Sequence, residues 1–197
     1  MPDSARWDGV RIDGDGFVLR RWCAGDLDAL LRHADDPMIV RGLSDRFPHP
    51  YTRADGEAFL AGRIVDLDAP VLAIEIDGEA CGSIGVRHAA AGERAHSAEL
   101  GYWLGVDYWG QGFGTEAARA VIDYYFEEFD LDQLIAGARV VNPSSRNILE
   151  KCGFQWSGVE LHRFEALGSS SPVDAFRLSR GVWTSLKRWN SSKRRES

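Results

Sequence analysis

Two stretches in the middle of the chain decide its fold: Glu99-Leu-Gly-Tyr-Trp-Leu104, and Tyr108-Trp-Gly-Gln-Gly-Phe-Gly-Thr-Glu-Ala117 shortly after it. The first stretch predicts a strand, with Leu100, Tyr102 and Leu104 on one face and Glu99 and Trp103 on the other. The second predicts a glycine-rich turn that leads into a helix from about Thr115 to Phe129. Exposed backbone N–H groups and the helix dipole both favour an anion at such a turn.

The glycine-rich turn suits only some phosphate ligands. A Walker P-loop needs Gly-Lys-Ser/Thr, which the chain lacks, and a dinucleotide fingerprint needs a glycine where Thr115 stands. The acidic ribose ligand expected at the end of the following strand is also missing, since Asp130 and Asp132 precede that strand. A pyrophosphate arm of coenzyme A remains, against the alternative of a tight glycine corner without a ligand.

The segments before the turn predict strands and helices in alternation. They are an opening strand over 10–22 that turns at 14–16, a helix from Asp26, a loop over 41–52, a helix over 53–63 that Thr52 caps, and a hairpin of strands 70–76 and 81–88 around Asp77-Gly78.

The segments after the helix predict a second α/β portion. They are an apolar strand over 134–141 that is covered on both faces, a short helix that Asn142-Pro143-Ser144 opens and Gly153 ends, and a pair of strands over 154–163 and 173–179. The order predicts one mixed α/β domain over residues 1–186, followed by a basic and flexible tail over 187–197.

Charge and composition exclude several classes of protein. The net charge is −7, and the last eleven residues carry five basic side chains against Glu196, which leaves −11 for the rest of the chain. Nucleic-acid binding as the main role is disfavoured, because that affinity comes largely from Lys and Arg. An acidic body favours a cationic amine, such as a basic peptide or a polyamine, as a substrate.

The remaining features predict a protein of the cytoplasm without a metal. Three cysteines without paired spacing indicate free thiols in a reducing compartment. No signal peptide and no apolar run long enough to cross a bilayer are visible, so no membrane partner is expected. The five histidines lack the spacing of metal ligands.

The two opening stretches resemble the acetyl-CoA motif of the GNAT N-acetyltransferases. A second, separate stretch supports this resemblance, because Asn142, Ser145, Leu149-Glu-Lys151 and Gly153-Phe154 reproduce the pattern N-x-x-S-x-x-x-L-E-K-x-G-F. This form is similar to the RimJ/RimL branch, which acetylates protein N-terminal amines and includes many small-molecule enzymes. The resemblance spans roughly residues 10 to 185.

The resemblance implies a central mixed sheet, flanked by helices, with a bulged and splayed strand pair at the acyl-CoA site. The bulge is expected near Gly101 to Trp103. The backbone of Trp103, Leu104 and Val106 is implied to bind pantetheine, and Arg146 and Lys151 to approach the phosphates. The amides implied to bind the pyrophosphate are those of Trp109, Gly110, Gln111, Gly112, Phe113, Gly114 and Thr115.

The resemblance also implies an amine attack on a thioester, which needs a base, a polarised carbonyl and a proton for the thiolate. Glu99 is the candidate base, through a raised pKa on burial beside Trp103, and its alternative is a pair with a neighbouring arginine. The N–H near Leu104 is the candidate for polarising the carbonyl. The usual acid, a tyrosine, is replaced by Leu149, so Ser145 and Asn142 become candidates for contact with the thiolate, coenzyme A or a catalytic water, or for helix capping.

The acceptor pocket is implied to be lined by Arg41, Phe47, His49 and Tyr51, together with Glu99; Phe47 and Tyr51 could equally be lid packing. The function implied is acetyl-CoA-dependent transfer to a primary amine, on a protein N-terminus or a small molecule. Two alternatives stay open: another acyl donor such as succinyl-CoA, and a non-catalytic acyl-CoA sensor. A homodimer is compatible with the sequence but does not follow from it.

Overall fold

The computed structural model describes residues 9–43, 47–65, 71–88, 97–164 and 168–193. Within these ranges one sheet has the strand order β1-β2-β3-β4-β5-β6-β8-β7. Its strands are Arg11–Asp13 (β1), Val18–Arg21 (β2), Val71–Ile76 (β3), Glu79–His88 (β4), Ser97–Leu104 (β5), Gln133–Arg139 (β6), Gln155–Phe164 (β7) and Ser169–Ser179 (β8). The α-helices are Leu27–Ala34 (α1), Pro37–Gly42 (α2), Arg53–Leu60 (α3), Phe113–Glu128 (α4), Pro143–Lys151 (α5) and Arg180–Lys193 (α6). The predicted mixed α/β class is confirmed.

One parallel pair interrupts an otherwise antiparallel sheet. β5 and β6 pair only where Ser97–Glu99 runs beside Gln133–Ile135. Beyond these residues the two strands no longer form a ladder, which confirms the predicted splay. The backbone groups of β5 that face β6 are therefore left for another partner.

The predicted bulge near Gly101 to Trp103 is wrong for the ladder between β4 and β5. Residues Gly82 to His88 pair with Leu104 to Ala98 without a register shift. The shift in this region lies one strand away, between β3 and β4 at Ile74/Glu75. A regular β5 still exposes its other edge, because β6 diverges from it.

The two faces of the sheet pack against different helices. The larger core places Leu100 of β5 and Leu134 of β6 against Val121 of α4 and Leu149 of α5. On the opposite face, Trp103 packs against a smaller cluster that includes Leu30 of α1 and aromatic residues near α3. Strand alternation thus gives β5 a contact with each helical layer.

Local signals in the sequence were accurate at several turns. Asp77 and Gly78 have φ of +51° and +82°, as a two-residue hairpin requires. Thr52 caps α3 by accepting from the Asp55 N–H, and Asn142 caps α5 by accepting from the Ser145 N–H. Gly153 follows α5 with φ of +90°.

Two segments differ from the predicted pattern. A second short helix, α2, follows the helix expected from Asp26, and Pro37 starts it, because proline fits the first position of a helix. β6 is not covered on both faces: Ala136 and Ala138 are buried, but Gly137 between them is exposed. This open face forms part of a cleft.

The C-terminal segment is also more ordered than predicted. Residues 187–193, which the sequence analysis assigned to a flexible tail, belong to α6. This helix packs on α4, where Trp183 stacks on Phe126 and donates to Asp123 at 2.7 Å. Residues 194–197 of the predicted tail lie outside the described residues.

Candidate active site

A cleft of about 770 Å³ opens where β5 and β6 diverge. It continues past the N-termini of α4 and α5, and α2, β7 and β8 contribute to its other end. Twelve of the predicted site residues line it: Arg41, Glu99, Trp103, Leu104, Trp109, Gly110, Gly112, Gly114, Thr115, Asn142, Ser145 and Lys151.

The hydrogen-bond pattern of β5 determines which backbone groups face the cleft. The Gly105 N–H donates to the Cys81 carbonyl at 2.7 Å, which continues the ladder with β4. Because paired residues alternate in an antiparallel ladder, the N–H groups of Tyr102 and Leu104 point away from β4, towards the splay. The backbone N–H and carbonyl of Trp103 point towards β4, so they do not face the cleft. Trp103 lines the cleft with its side chain.

Two side chains brace the glycine-rich turn. The Trp109 indole donates from Nε1 to the Leu104 carbonyl at 2.6 Å. Gln111 donates from Nε2 to the Asp107 carbonyl at 2.9 Å. Both side chains bind protein backbone, so the ligand groups that the turn offers are its amides.

The N-terminus of α4 has the geometry of an anion site. Gly110 and Gly112 have φ of +75° and +95°, which L-residues with a side chain rarely adopt. The helix bonds begin with Thr115, which donates to the Gly112 carbonyl at 3.0 Å. The N–H groups of Phe113 and Gly114 precede this first bond and have no earlier helical carbonyl to bind.

A tyrosine that the sequence analysis did not select contacts the start of α5. The Tyr102 hydroxyl lies 3.0 Å from the Ser145 Oγ and 3.2 Å from the Ser145 carbonyl oxygen, to which it donates. The Ser145 N–H in turn donates to the Asn142 Oδ1 at 3.1 Å. Burial raises the pKa of Tyr102, against a smaller opposing effect of the bond to Ser145, so this phenol keeps its proton at neutral pH. Leu149, at the usual tyrosine position, is buried in the core.

Glu99 occurs in the arrangement that the sequence analysis gave as the alternative to a base. Its Oε2 accepts from Arg87 Nη2 at 2.5 Å, across the β4–β5 ladder. The Glu99 side chain is 42% exposed, so it is not buried beside Trp103 as expected. It lies in the cleft as a carboxylate that is accessible to a substrate or a water.

Four predicted coenzyme-binding residues do not line the cleft with their side chains. Val106 lies in a 3₁₀ turn, Gln111 turns onto that same turn, and the Phe113 ring packs at 6.5 Å from Phe17 in the core. Arg146 binds two carboxylates, Glu150 at 3.0 Å and Asp174 at 3.2 Å. Its charge is therefore already compensated within the protein.

Three predicted acceptor residues also lie behind the cleft wall. Phe47 packs on Trp103 with ring centroids 5.7 Å apart, and on Tyr51 at 5.1 Å. Tyr51 is buried, and its burial raises the pKa to about 12. His49 lies 3.3 Å from the carboxylate of Asp35. Phe47, with Tyr51 packed on it, supports Trp103, which fits the packing alternative for these two residues.

The cleft also contains residues that sequence reasoning missed. Besides Tyr102, they include Met38 and Ile39 of α2, Arg139 of β6, and His162 and Phe164 of β7. The signal for Tyr102 was present, since it stands inside the quoted motif, but its apolar neighbours suggested a core role. β7 and α2 are distant in sequence, so only the fold brings them to β5.

The described part of the chain shows no cluster of three or more His, Cys, Asp or Glu residues that could hold a metal ion. None of its helices is long and apolar enough to cross a membrane.

The sequence matches known acetyltransferases. The profile of the acetyltransferase (GNAT) domain matches residues 17–155. An N-acetyltransferase named p20 from Bacillus licheniformis is 28% identical over 82% of this chain and 92% of its own length. YdaF of Bacillus subtilis is 36% identical over 47% of this chain, and the match spans 50% of its own length. The ribosomal-protein-serine acetyltransferase of Escherichia coli is 36% identical over 32% of this chain and 35% of its own length, which supports the RimJ/RimL-like branch.

Solved structures share the fold over nearly the whole chain. A protein from T. thermophilus has a TM-score of 0.75 at 27% identity, covering 93% of this chain and 96% of its own. The spermidine N-acetyltransferase of Vibrio cholerae, solved with CoA and spermine, has a TM-score of 0.70 at 20% identity, covering 87% of this chain and 99% of its own. With its splayed strands, its amide-lined turn and a profile match over most of its length, the chain belongs to the GNAT acetyltransferase family, whose members use acetyl-CoA.

Proposed function

We propose that the protein transfers an acetyl group from acetyl-CoA directly to a primary amine, within a complex that holds both substrates. The single observation that carries this proposal is the cleft at the splay of β5 and β6. One side of it meets the N-termini of α4 and α5, and the other meets α2 and β7. A thioester that enters past the N-termini of α4 and α5 meets, at the edge of β5, an amine that enters from the side of α2 and β7.

The donor side offers backbone groups that can bind coenzyme A. The amides at Gly110, Gly112 and Gly114 lie along the wall that would hold the pyrophosphate. The N–H of Leu104, which points into the splay, would polarise the thioester carbonyl. The fixed direction of this N–H favours the oxyanion that develops there.

The chemistry moves two protons. The amine nitrogen attacks the carbonyl carbon, the N–C bond forms, and the C–S bond breaks. Glu99 accepts the proton from the amine, directly or through a water, while its ion pair with Arg87 holds the side chain in position. Tyr102 donates its proton towards the leaving thiolate, and Ser145 relays or supports that donation from 3.0 Å away.

The Tyr102–Ser145 pair favours an enzyme over a non-catalytic sensor. Leu149 removes the usual acid of the family, which was the reason to consider a sensor. A half-buried and protonated phenol now lies at the same cleft, contributed by β5 rather than by α5. We propose acetyl rather than succinyl as the transferred group, because acetyl-CoA is the donor that members of this family use.

A matched pair of glycine variants tests the coenzyme site. Gly112 and Gly78 both have a positive φ, and a Cβ at either position meets no atom within 4 Å. Gly112→Ala and Gly78→Ala therefore carry a similar backbone cost, about 1–2 kcal/mol for a left-handed residue. We expect only Gly112→Ala to weaken acetyl-CoA binding in calorimetry, by at least about tenfold relative to Gly78→Ala, with thermal unfolding as the measure of the shared cost.

The activity itself is tested by thiol release from acetyl-CoA, and in parallel from succinyl-CoA, over a panel of peptide and small-molecule amines. Release that depends on the amine supports a transferase. Tight acetyl-CoA binding without such release over the whole panel contradicts it and supports the sensor. If Gly112→Ala and Gly78→Ala weaken the binding of acetyl-CoA equally, the proposed position of the pyrophosphate at the glycine-rich turn is wrong.

A further inference from the structure

The acceptor side of the cleft can be defined from strand alternation. Glu99 pairs with Ile135 across β5 and β6, so Glu99, Trp103 and Arg139 share one face of the sheet. Val173 of β8 pairs with Arg139 of β6 on one side and with Glu160 of β7 on the other, so Glu160 is on this face. His162 and Phe164, two and four residues further along β7, therefore lie on the same face. Arg41 of α2 lines the cleft above it. We name this region the acceptor chamber: Arg41, Glu99, Trp103, Arg139, His162 and Phe164.

Arg139 has a positive charge that nothing in the described residues neutralises. Its Nη1 donates to the backbone carbonyl of Arg41 at 2.9 Å, and its guanidinium carbon lies 4.6 Å from the centre of the Phe164 ring. Its Nε is buried and has no hydrogen-bond partner among the described residues. A guanidinium in a partly enclosed cleft without a carboxylate partner is costly to leave uncompensated, so the natural partner is an anion that enters the chamber.

The other charges of the chamber do not supply that anion. Its one carboxylate, Glu99, is paired with Arg87. Arg41 has no ion pair within the described residues, and His162 lies 3.0 Å from Glu160. The chamber is thus locally cationic, although the whole chain carries −7. Local charge decides the ligand, because screening in salt limits the reach of distant surface charges to about 10 Å.

We propose that the amine acceptor carries a carboxylate or phosphate group, which Arg139 binds with help from Arg41. This inference deepens the proposed transfer and rests on it. The planar guanidinium fork matches both oxyanions and holds them in a defined direction. Two guanidinium groups also disfavour the ammonium form of a nearby amine, so they increase the fraction of neutral nucleophile. A cationic acceptor, which the overall charge suggested, meets repulsion here.

Matched amines of equal length test the inference. γ-Aminobutyrate, n-butylamine and putrescine present an anionic, a neutral and a cationic group at the same distance from the amine. A second comparison, of O-phosphoethanolamine with ethanolamine, tests a phosphate group in the same way. Together the two comparisons show whether a carboxylate or a phosphate is favoured. We expect kcat/KM for an anionic amine to exceed that of its neutral partner by about tenfold or more, and that of putrescine to be lowest.

Arginine variants assign the preference to its residues. Arg139→Gln is expected to remove most of the anionic preference by raising KM, and Arg139→Lys to restore part of it. Arg41→Gln changes an exposed residue, so it tests the chamber even if Arg139→Gln fails to fold. Arg53→Gln, an exposed arginine of α3 paired with Asp28, is the matched control and is expected to leave the preference unchanged.

The outcomes separate this inference from the proposed function. If amines are acetylated but the neutral or cationic one is preferred, or the preference survives both Arg41→Gln and Arg139→Gln, the anionic acceptor is wrong and the transferase stands. If acetyl-CoA binds without turnover, or fails to bind, the proposed function is wrong. The acceptor chamber is then tested by calorimetry, which measures the affinity of the protein for the same amines. Tighter binding of the anionic amine that Arg41→Gln weakens supports the chamber, and equal binding overturns it.

Discussion

Replacing Tyr102 by phenylalanine is the sharpest test of the proton donor. The change removes one oxygen and with it the bonds to the Ser145 Oγ at 3.0 Å and the Ser145 carbonyl at 3.2 Å. Each hydrogen bond of this kind contributes about 1 kcal/mol to stability, so the two together contribute about 2 kcal/mol. For a chain of this size the expected loss is about 4–8 °C in melting temperature.

The catalytic loss is expected to be far larger than the loss of stability. General acids contribute about 10²–10⁴-fold to rate, and a thiolate is a good leaving group, so we expect kcat to fall by about 100-fold. Single-turnover thiol release from acetyl-CoA measures the chemical step directly. Because burial raises the pKa of Tyr102 above the ordinary value of 10.0, no loss of wild-type rate from this group is expected below pH 10.

Tyr125→Phe is the matched control for this experiment. Tyr125 is a second tyrosine of the core cluster, and its hydroxyl donates to the Val86 carbonyl at 3.1 Å, outside the cleft. Both variants lose a phenol hydrogen bond to the backbone, so both lower the melting temperature, but only Tyr102→Phe should slow turnover. A kcat within about twofold of wild type for both Tyr102→Phe and Ser145→Ala would refute the donor assignment.

Three further predictions concern the cleft and the fold. Gly101 faces open space in the cleft, so Gly101→Leu should raise KM for the amine by about tenfold or more without changing acetyl-CoA binding, as calorimetry checks. Trp109→Phe loses the bond to the Leu104 carbonyl and should weaken acetyl-CoA binding while the melting temperature stays nearly constant, which fluorescence titration and thermal unfolding compare. Hydrogen bonds to Thr52 lower the pKa of Asp55, so its ionisation stabilises the α3 cap fully above the ordinary value of 3.8, and this benefit is lost as pH falls below 3.8 through the lowered pKa of the folded state. Asp55→Asn should therefore lower the melting temperature more at pH 7 than at pH 3.

Short-range signals predicted most of the fold for a definite reason. The hairpin at Asp77-Gly78, the caps at Thr52 and Asn142 and the glycine turn before α4 each depend on neighbouring residues, whose conformational preferences act locally. The two motifs lie on either side of β6 and identified both helix N-termini of the donor site.

Side-chain roles were less predictable because they depend on distant neighbours. Glu99 looked like a buried base, but Arg87, across the ladder and twelve residues away, pairs with it. Arg146 looked like a phosphate ligand until β8 brought Asp174 to 3.2 Å. No pattern within one segment records such partners.

The sequence by itself determined the mixed sheet, the glycine turn at the head of α4 and the family, because strand alternation, helix caps and turn glycines are local properties. Only the tertiary structure brings together the residues of the proposed acid and of the proposed acceptor chamber. Tyr102 meets Ser145 across 43 positions, and Arg139 meets Arg41 across 98. The divergence of β5 from β6 opens the space between them, and it leaves Arg139 without a carboxylate among the described residues, in a protein whose overall charge is negative.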